Sequence, residues 1–134
     1  MAELTDKQRA ILLGPNFYSI STVGKDGGPR STTIWGDLVG DLVEVNSREG
    51  RGWPSNLQRD PRVAIEVHDE KHPYDQVSIV GHVVEVTTEG AVESINHLSE
   101  KYTGDPDYRV GEGDVRVRIR IAIDRARSWR SEHR

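Results

Sequence analysis

Residues 115–123 constrain the fold more than any other stretch. Val115, Val117, Ile119, Ile121 and Ile123 alternate with Arg116, Arg118, Arg120 and Ala122. A period of two is that of a strand with one face in a core, and every apolar position here is β-branched, which suits a pleated surface. The alternation predicts a strand with the valines and isoleucines inward and Arg116, Arg118 and Arg120 outward. One such strand needs a sheet to pair with.

The rest of the chain supplies it. Residues 17–23, 30–38, 42–46, 63–68 and 74–86 also read as strands, six in all with the last. Val63, Ile65 and Val67 alternate with Ala64, Glu66 and His68, a half-buried pattern. Residues 74–86 carry apolar side chains on both faces, so both are expected to be covered. The connections are mostly hairpins, with glycine turns at 24–28 and at Gly40. Thr5 and Gln8 form a capping box before a short helix carrying Ile11 and Leu12, which stops near Gly14-Pro15. Thr88 is the expected cap of a second helix, in which Ala91, Ile95, Leu98 and Tyr102 make one stripe. The fold class is therefore mainly β: a six-stranded antiparallel barrel with helices, residues 1–134 forming one domain, the helix after Thr88 plugging an opening or a seam.

Composition sets outer bounds. With 34% apolar and 30% charged residues, a small monomer would be marginal, so a homodimer is expected. No cysteine means no disulfide framework and no thiol nucleophile. No apolar run approaches the roughly 18–20 residues of a membrane span, and the N-terminus lacks a signal-peptide stretch, which makes the cytoplasm the expected compartment. A net charge of −4 argues against general nucleic-acid binding. Arg116, Arg118, Arg120, Arg125, Arg127, Arg130 and Arg134 crowd the C-terminal part. They are either a solvated strand face or a basic rim for an anionic ligand.

Residues 47–63 carry the chemistry: Ser-Arg-Glu-Gly-Arg-Gly-Trp-Pro-Ser-Asn-Leu-Gln-Arg-Asp-Pro-Arg-Val. A strand end, a glycine turn holding Arg48 and Arg51, and a short helix stopped by Asp60-Pro61 follow one another. Pro54 suits the first helical position. The free N–H groups and the positive dipole end of such a helix make an anion site, and Trp53 beside it can cover a flat ring. Asn56, in the first turn, is read chiefly as a partner for the turn backbone and second as a ligand contact. His68 and His72, with Glu66, Asp69 and Glu70, have metal-like chemistry but straddle a strand end and a loop, so no metal site is expected.

The element order resembles the FMN-binding split β-barrel of the pyridoxamine 5′-phosphate oxidase-like superfamily. The likeness rests on Ser21 to Trp35 (STVGKDGGPRSTTIW), on Gly50-Arg51 through Asn56-Leu57-Gln-Arg-Asp-Pro-Arg-Val63, and on His72 to Val86 (HPYDQVSIVGHVVEV). The Asn-Leu-x-x-Asp-Pro-Arg-Val run and the short length are most similar to the flavin/deazaflavin oxidoreductases, which use coenzyme F420. The resemblance implies a homodimer with two coenzyme sites at the subunit interface. It places the ring against Ser31, Thr32, Thr33, Ile34 and Trp35, and the phosphate at Ser47, Arg51, Gly52, Trp53, Pro54 and Asn56. Trp35 either packs on the ring or fills the dimer interface. Tyr74 approaches the partner's site as a substrate orienter or is a structural tyrosine. Many relatives have basic residues where this chain has Trp53-Pro54-Ser55, so phosphate binding falls to Arg51, Ser47, the helix N–H groups and Arg48.

A coenzyme that carries the hydride asks little acid–base chemistry of the protein. The expected activity is an F420H2-dependent reductase acting on a small unsaturated or carbonyl-containing acceptor. The alternatives are an FMN enzyme on the same barrel, or a carrier of deazaflavin, flavin or haem without turnover.

Overall fold

The computed structural model describes residues 3–129. Its elements are α1 (Asp6–Leu13), β1 (Tyr18–Val23), β2 (Pro29–Ile34), β3 (Gly36–Val39), β4 (Leu42–Arg48), α2 (Gly52–Arg59), β5 (Arg62–His68), β6 (Gln76–Thr87), α3 (Ala91–Thr103) and β7 (Arg116–Trp129). The seven strands make one sheet in the order β2-β1-β5-β6-β7-β4-β3, and every pairing is antiparallel. β2 and β3 stand at opposite edges of that sheet, yet Trp35 alone separates them in sequence. Successive Cα atoms lie about 3.8 Å apart, so the sheet must curl until its two edges nearly meet. The result is a split-barrel-like fold. Among the described residues no helix is long and apolar enough to cross a membrane.

β7 holds the curl together. Its residues Arg118 to Ala122 pair with β4 on one side and with β6 on the other. Val117, Ile119, Ile121 and Ile123 point into the core, where they meet Val43, Val45, Ile65, Val67 and Ile79, all buried. Val115 does not join them. It precedes the strand and is 45% exposed.

The expectation of outward arginines is corrected. α3 lies across that face of β4 and β7, so Arg116 is buried and Arg118 and Arg120 are half-buried. A polar layer fills the gap. Asn46 Nδ2 donates to the Ala91 carbonyl at 2.8 Å, Ser94 Oγ to Glu44 Oε2 at 3.0 Å, and Arg120 Nε to Glu44 Oε1 at 2.9 Å. α3 itself starts differently from the expectation. Gly90, in the left-handed region at φ 72°, takes the N-cap position with no side-chain cap, and Thr88 contributes only its carbonyl, to Ala91 N–H. The Arg118 guanidinium packs so closely on Gly90 that a Cβ there would meet Nη1 at 2.8 Å.

The six strands expected become seven because residues 30–38 break at Trp35. Gly36 is the cause. A Cβ there would run into the ring of Tyr18, which is fully buried. The absent side chain lets the chain pass the ring and change edges. The long strand also differs from expectation. It starts at Gln76, after a turn that holds Tyr74 at 59% exposure. Its outer face, Ser78, Val80, His82 and Val84, is open, so one face is covered rather than both. The Thr5/Gln8 capping box forms as expected, with bonds of 3.1 and 2.9 Å.

Gly36→Ala tests the edge change. Overpacking against a ring that cannot move costs about 1–3 kcal/mol, so urea unfolding should show a lower midpoint with an unchanged slope. An unshifted midpoint would mean that Tyr18 does not wedge this turn.

Candidate functional site

Two adjoining cavities open where the sheet edges approach. The inner one, of about 260 Å³, is lined by Phe17, Thr33, Ile34, Trp35, Asn46, Ser47, Arg51, Trp53, Ile95, Leu98, Tyr108 and Arg116. The outer one, of about 640 Å³, is lined by Gly24, Lys25, Arg30, Ser31, Thr32, Arg48, Arg51, Gly52, Trp53 and Asn56. Arg51 and Trp53 line both, so the cavities form one cleft along β2, with an apolar, aromatic end and a cationic, open end. Among the described residues β2 has β1 as its only neighbour in the sheet. Its other edge therefore carries backbone N–H and C=O groups not used by the ladder.

The cationic end is built by β4, its turn and α2. Gly50, at φ 92°, turns the chain sharply after Arg48. Arg51 is then the N-cap of α2, and no side chain caps the helix. The first-turn N–H groups of Gly52 and Trp53 are left for solvent or a ligand. The helix begins two residues before the proline expected to open it, so Pro54 lies inside the first turn, where its missing N–H costs nothing. Asn56 is 8% exposed and bonds neither the turn backbone nor open space: its Nδ2 donates to Thr22 Oγ1 at 3.1 Å, tying α2 to β1.

Trp53 is 6% exposed, and its indole Nε1 is buried without a hydrogen-bond partner. A buried unpaired donor costs about 1–3 kcal/mol. The residue that carries this donor lines both cavities. Aromatics from four parts of the chain gather at Trp35. Trp35 stacks on Tyr102 at 5.4 Å between ring centres and 6° between planes, Phe17 stacks on the same ring at 5.7 Å, and Tyr108 meets Trp35 edge-on at 6.2 Å. Trp35 is thus held by this chain's own rings.

A polar network fixes the Trp35 corner from behind. The Tyr102 hydroxyl donates to the Asn16 carbonyl at 2.6 Å and accepts from Gly36 N–H at 3.1 Å. Lys101 Nζ donates to the Leu12 and Gly36 carbonyls at 2.9 and 2.6 Å and to Asp37 Oδ1 at 3.1 Å, while His97 Nε2 lies 2.8 Å from Asp37 Oδ2. Burial pushes the Lys101 ammonium below its usual range, against the pull of Asp37. Burial likewise raises the Tyr102 phenol to about 12, although the Gly36 N–H pulls it down.

The structure brings Ser31, Thr32, Thr33, Ile34, Trp35, Ser47, Arg51, Gly52, Trp53 and Asn56 to this one cleft. Pro54 lines neither cavity and instead lies in a separate pocket with Glu49, Ser55 and Gln58. Tyr74 lines neither cavity. Asn46, Tyr108 and the pair Ile95 and Leu98 also line the inner cavity without having been singled out from sequence as ligand contacts, and Arg116 lines it as the one member of the C-terminal arginine row, read from sequence as a solvated face or a basic rim, to do so among the described residues. Arg125 and Arg127 are exposed away from the cleft, and Arg130 and Arg134 lie outside the described residues.

Residues 4–130 match the family model described as pyridoxamine 5′-phosphate oxidase. The chain belongs to that family. The family fold recurs in a solved structure named F420 reductase, 21% identical, with a TM-score of 0.84 over 92% of this chain and 98% of that one. A conserved hypothetical protein from Mycobacterium tuberculosis is 25% identical, with a TM-score of 0.72 over 97% of this chain and 85% of that one. HupZ of Group A Streptococcus is 20% identical, with a TM-score of 0.72 over 96% of both chains. Among curated proteins the sequence finds no match.

The Tyr102 phenol gives a pH prediction. Its folded pKa lies above the usual 10, so the folded state holds the proton longer than the unfolded chain. The stability this contributes is complete below pH 10 and is lost as the pH rises through about 12. Tyr102→Phe should therefore flatten the fall of unfolding free energy in that window. An equally steep fall in the variant would show that the hydroxyl is not the group responsible.

Proposed function

We propose that this chain is an F420H2-dependent reductase that reduces a small unsaturated or carbonyl-containing acceptor. The carrying observation is the cleft itself. It joins a free strand edge and an aromatic wall to an uncapped helix N-terminus with Arg51 at its mouth and an unpaired indole N–H between them. That donor set fits a flat ring joined to a phosphate. The neighbouring F420 reductase structure supports deazaflavin as the ring.

When bound, the deazaflavin supplies the hydride chemistry. The protein's part is to bind, orient and exclude water. The free edge of β2 from Ser31 to Ile34 offers backbone partners to the polar rim of the ring. Trp35, fixed by Tyr102 and Tyr108, fills the end of the cleft. Arg51, Ser47 and the amides of Gly52 and Trp53 hold the phosphate. In this reading the protein is a homodimer whose second subunit covers the ring face along the outer cavity, with the partner subunit's Tyr74 near the acceptor. The acceptor is a freely diffusing small molecule.

The description of the family model favours a second reading, FMN as the coenzyme. Titration with F420 and with FMN, followed by ring fluorescence, separates the two. F420H2 and a panel of enones and quinones then test turnover. Tighter F420 binding with acceptor-dependent oxidation is expected. Selective FMN binding would reassign the coenzyme, and binding without oxidation of F420H2 by any acceptor would make the protein a carrier. Arg51→Ala should weaken F420 roughly tenfold to a hundredfold, the loss of one charge-assisted hydrogen bond. Unchanged affinity would remove Arg51 from the site.

A further inference from the structure

Arg116 is set apart from the arginines that follow it on β7. Arg118 pairs with Glu85 at 3.1 Å and Arg120 with Glu44 at 2.9 Å. Arg116 is 9% exposed, and among the described residues no carboxylate lies within ion-pair distance of it. Its Nε donates to Asn46 Oδ1 at 3.0 Å, and its guanidinium carbon stands 5.2 Å from the centre of the Tyr108 ring. Asp114, the nearest acid in sequence, instead engages Arg48 at 3.4 Å. Burial holds the Arg116 guanidinium below its usual range, and the charges of Arg51 and Arg48 add to this, while Tyr108 and Asp114 pull the other way. An arginine does not escape such a position by losing its proton. Asn46 and the Tyr108 ring meet this cation only as neutral partners, so an anion in the cavity would gain by pairing with it.

Arg116 lines the inner cavity together with Arg51 and Trp53, whose buried Nε1 also has no partner. The two residues come from different elements, β7 and α2, and both line the inner cavity. We propose that Arg116 is a ligand-binding residue, the inner cation of a phosphate subsite completed by Arg51, the Trp53 indole N–H and the first-turn amides of α2. The proposal deepens the coenzyme reading, because the phosphate is then the coenzyme's own. It also explains how α2 manages with Trp53-Pro54-Ser55 at its start: the positive charge is delivered from the strand opposite. Asn46 fixes the guanidinium by its Nε, which leaves both Nη groups to form the fork that suits a phosphate.

The subsite makes the protein discriminate phosphorylated from unphosphorylated ligands. The test compares F420 with its phosphate-free chromophore, 8-hydroxy-5-deazariboflavin, on wild type, Arg116→Gln and Arg116→Lys. Arg116→Gln should lose roughly tenfold or more in F420 affinity, as for one charge-assisted hydrogen bond, and bind the chromophore as wild type does. Arg116→Lys, which keeps the charge but not the fork, should fall between. Equal losses for both ligands, or no loss for F420 in either variant, would overturn the proposal. Should Arg116→Gln not fold, the F420-selective loss in Arg116→Lys decides alone. Inorganic phosphate gives a readout independent of any ring. In wild type it should shift the NMR signals of the Trp53 indole N–H and the Gly52 amide, and in Arg116→Gln it should not. A wild type blind to phosphate at those two signals would overturn the subsite even if F420 binds. A phosphate response without F420 binding would sink the coenzyme reading and support the subsite.

Discussion

The structure depends on the first half of β7 being covered on both faces. One carries Val117, Ile119, Ile121 and Ile123 into the core, and the other carries Arg116, Arg118 and Arg120 beneath α3. Over Arg118 to Ala122 the strand pairs on both edges, and a shift of one residue there would exchange isoleucine for arginine in the core. β4 and β6 are thereby fixed on either side, and with them the curl that brings β2 and β3 within one residue of each other. The cleft exists because that curl does not close.

The polar arithmetic of the α3 face is uneven. Arg120 is answered by Glu44, and Glu44 by Ser94. Arg118 is answered by Glu85, although its Nε has no partner. Arg116 is answered by no carboxylate among the described residues, and it sits at the end of the face that opens into the cleft. Groups left unmet in a folded protein mark either strain or a missing partner. Here Arg116 and the Trp53 indole lie on one cavity wall, which favours the missing partner.

Much of this was legible in the sequence. Period-two patterns gave the strands of β5 and β7, the Thr5–Gln8 spacing gave the first cap, and the glycine turn before Trp53 gave the start of α2 to within two residues. What escaped detection shares a physical reason. Alternation reports that one face of a strand differs from the other, not what lies over the second face, so an arginine row under α3 reads like one in water. The break at Trp35 depends on Gly36 meeting the ring of Tyr18, a contact between residues that no local pattern links. Tyr108 sits in a loop without periodicity, and its role rests on the distant Trp35 and Arg116.

The proposed reductase would hold its coenzyme along β2 with the phosphate at the start of α2. Amide hydrogen exchange with and without F420 tests it directly. Slower exchange in Ser31 to Trp35 together with Gly52 and Trp53 is the predicted result. F420 binding that leaves those amides unchanged, or that slows exchange only elsewhere in the chain, would contradict the account.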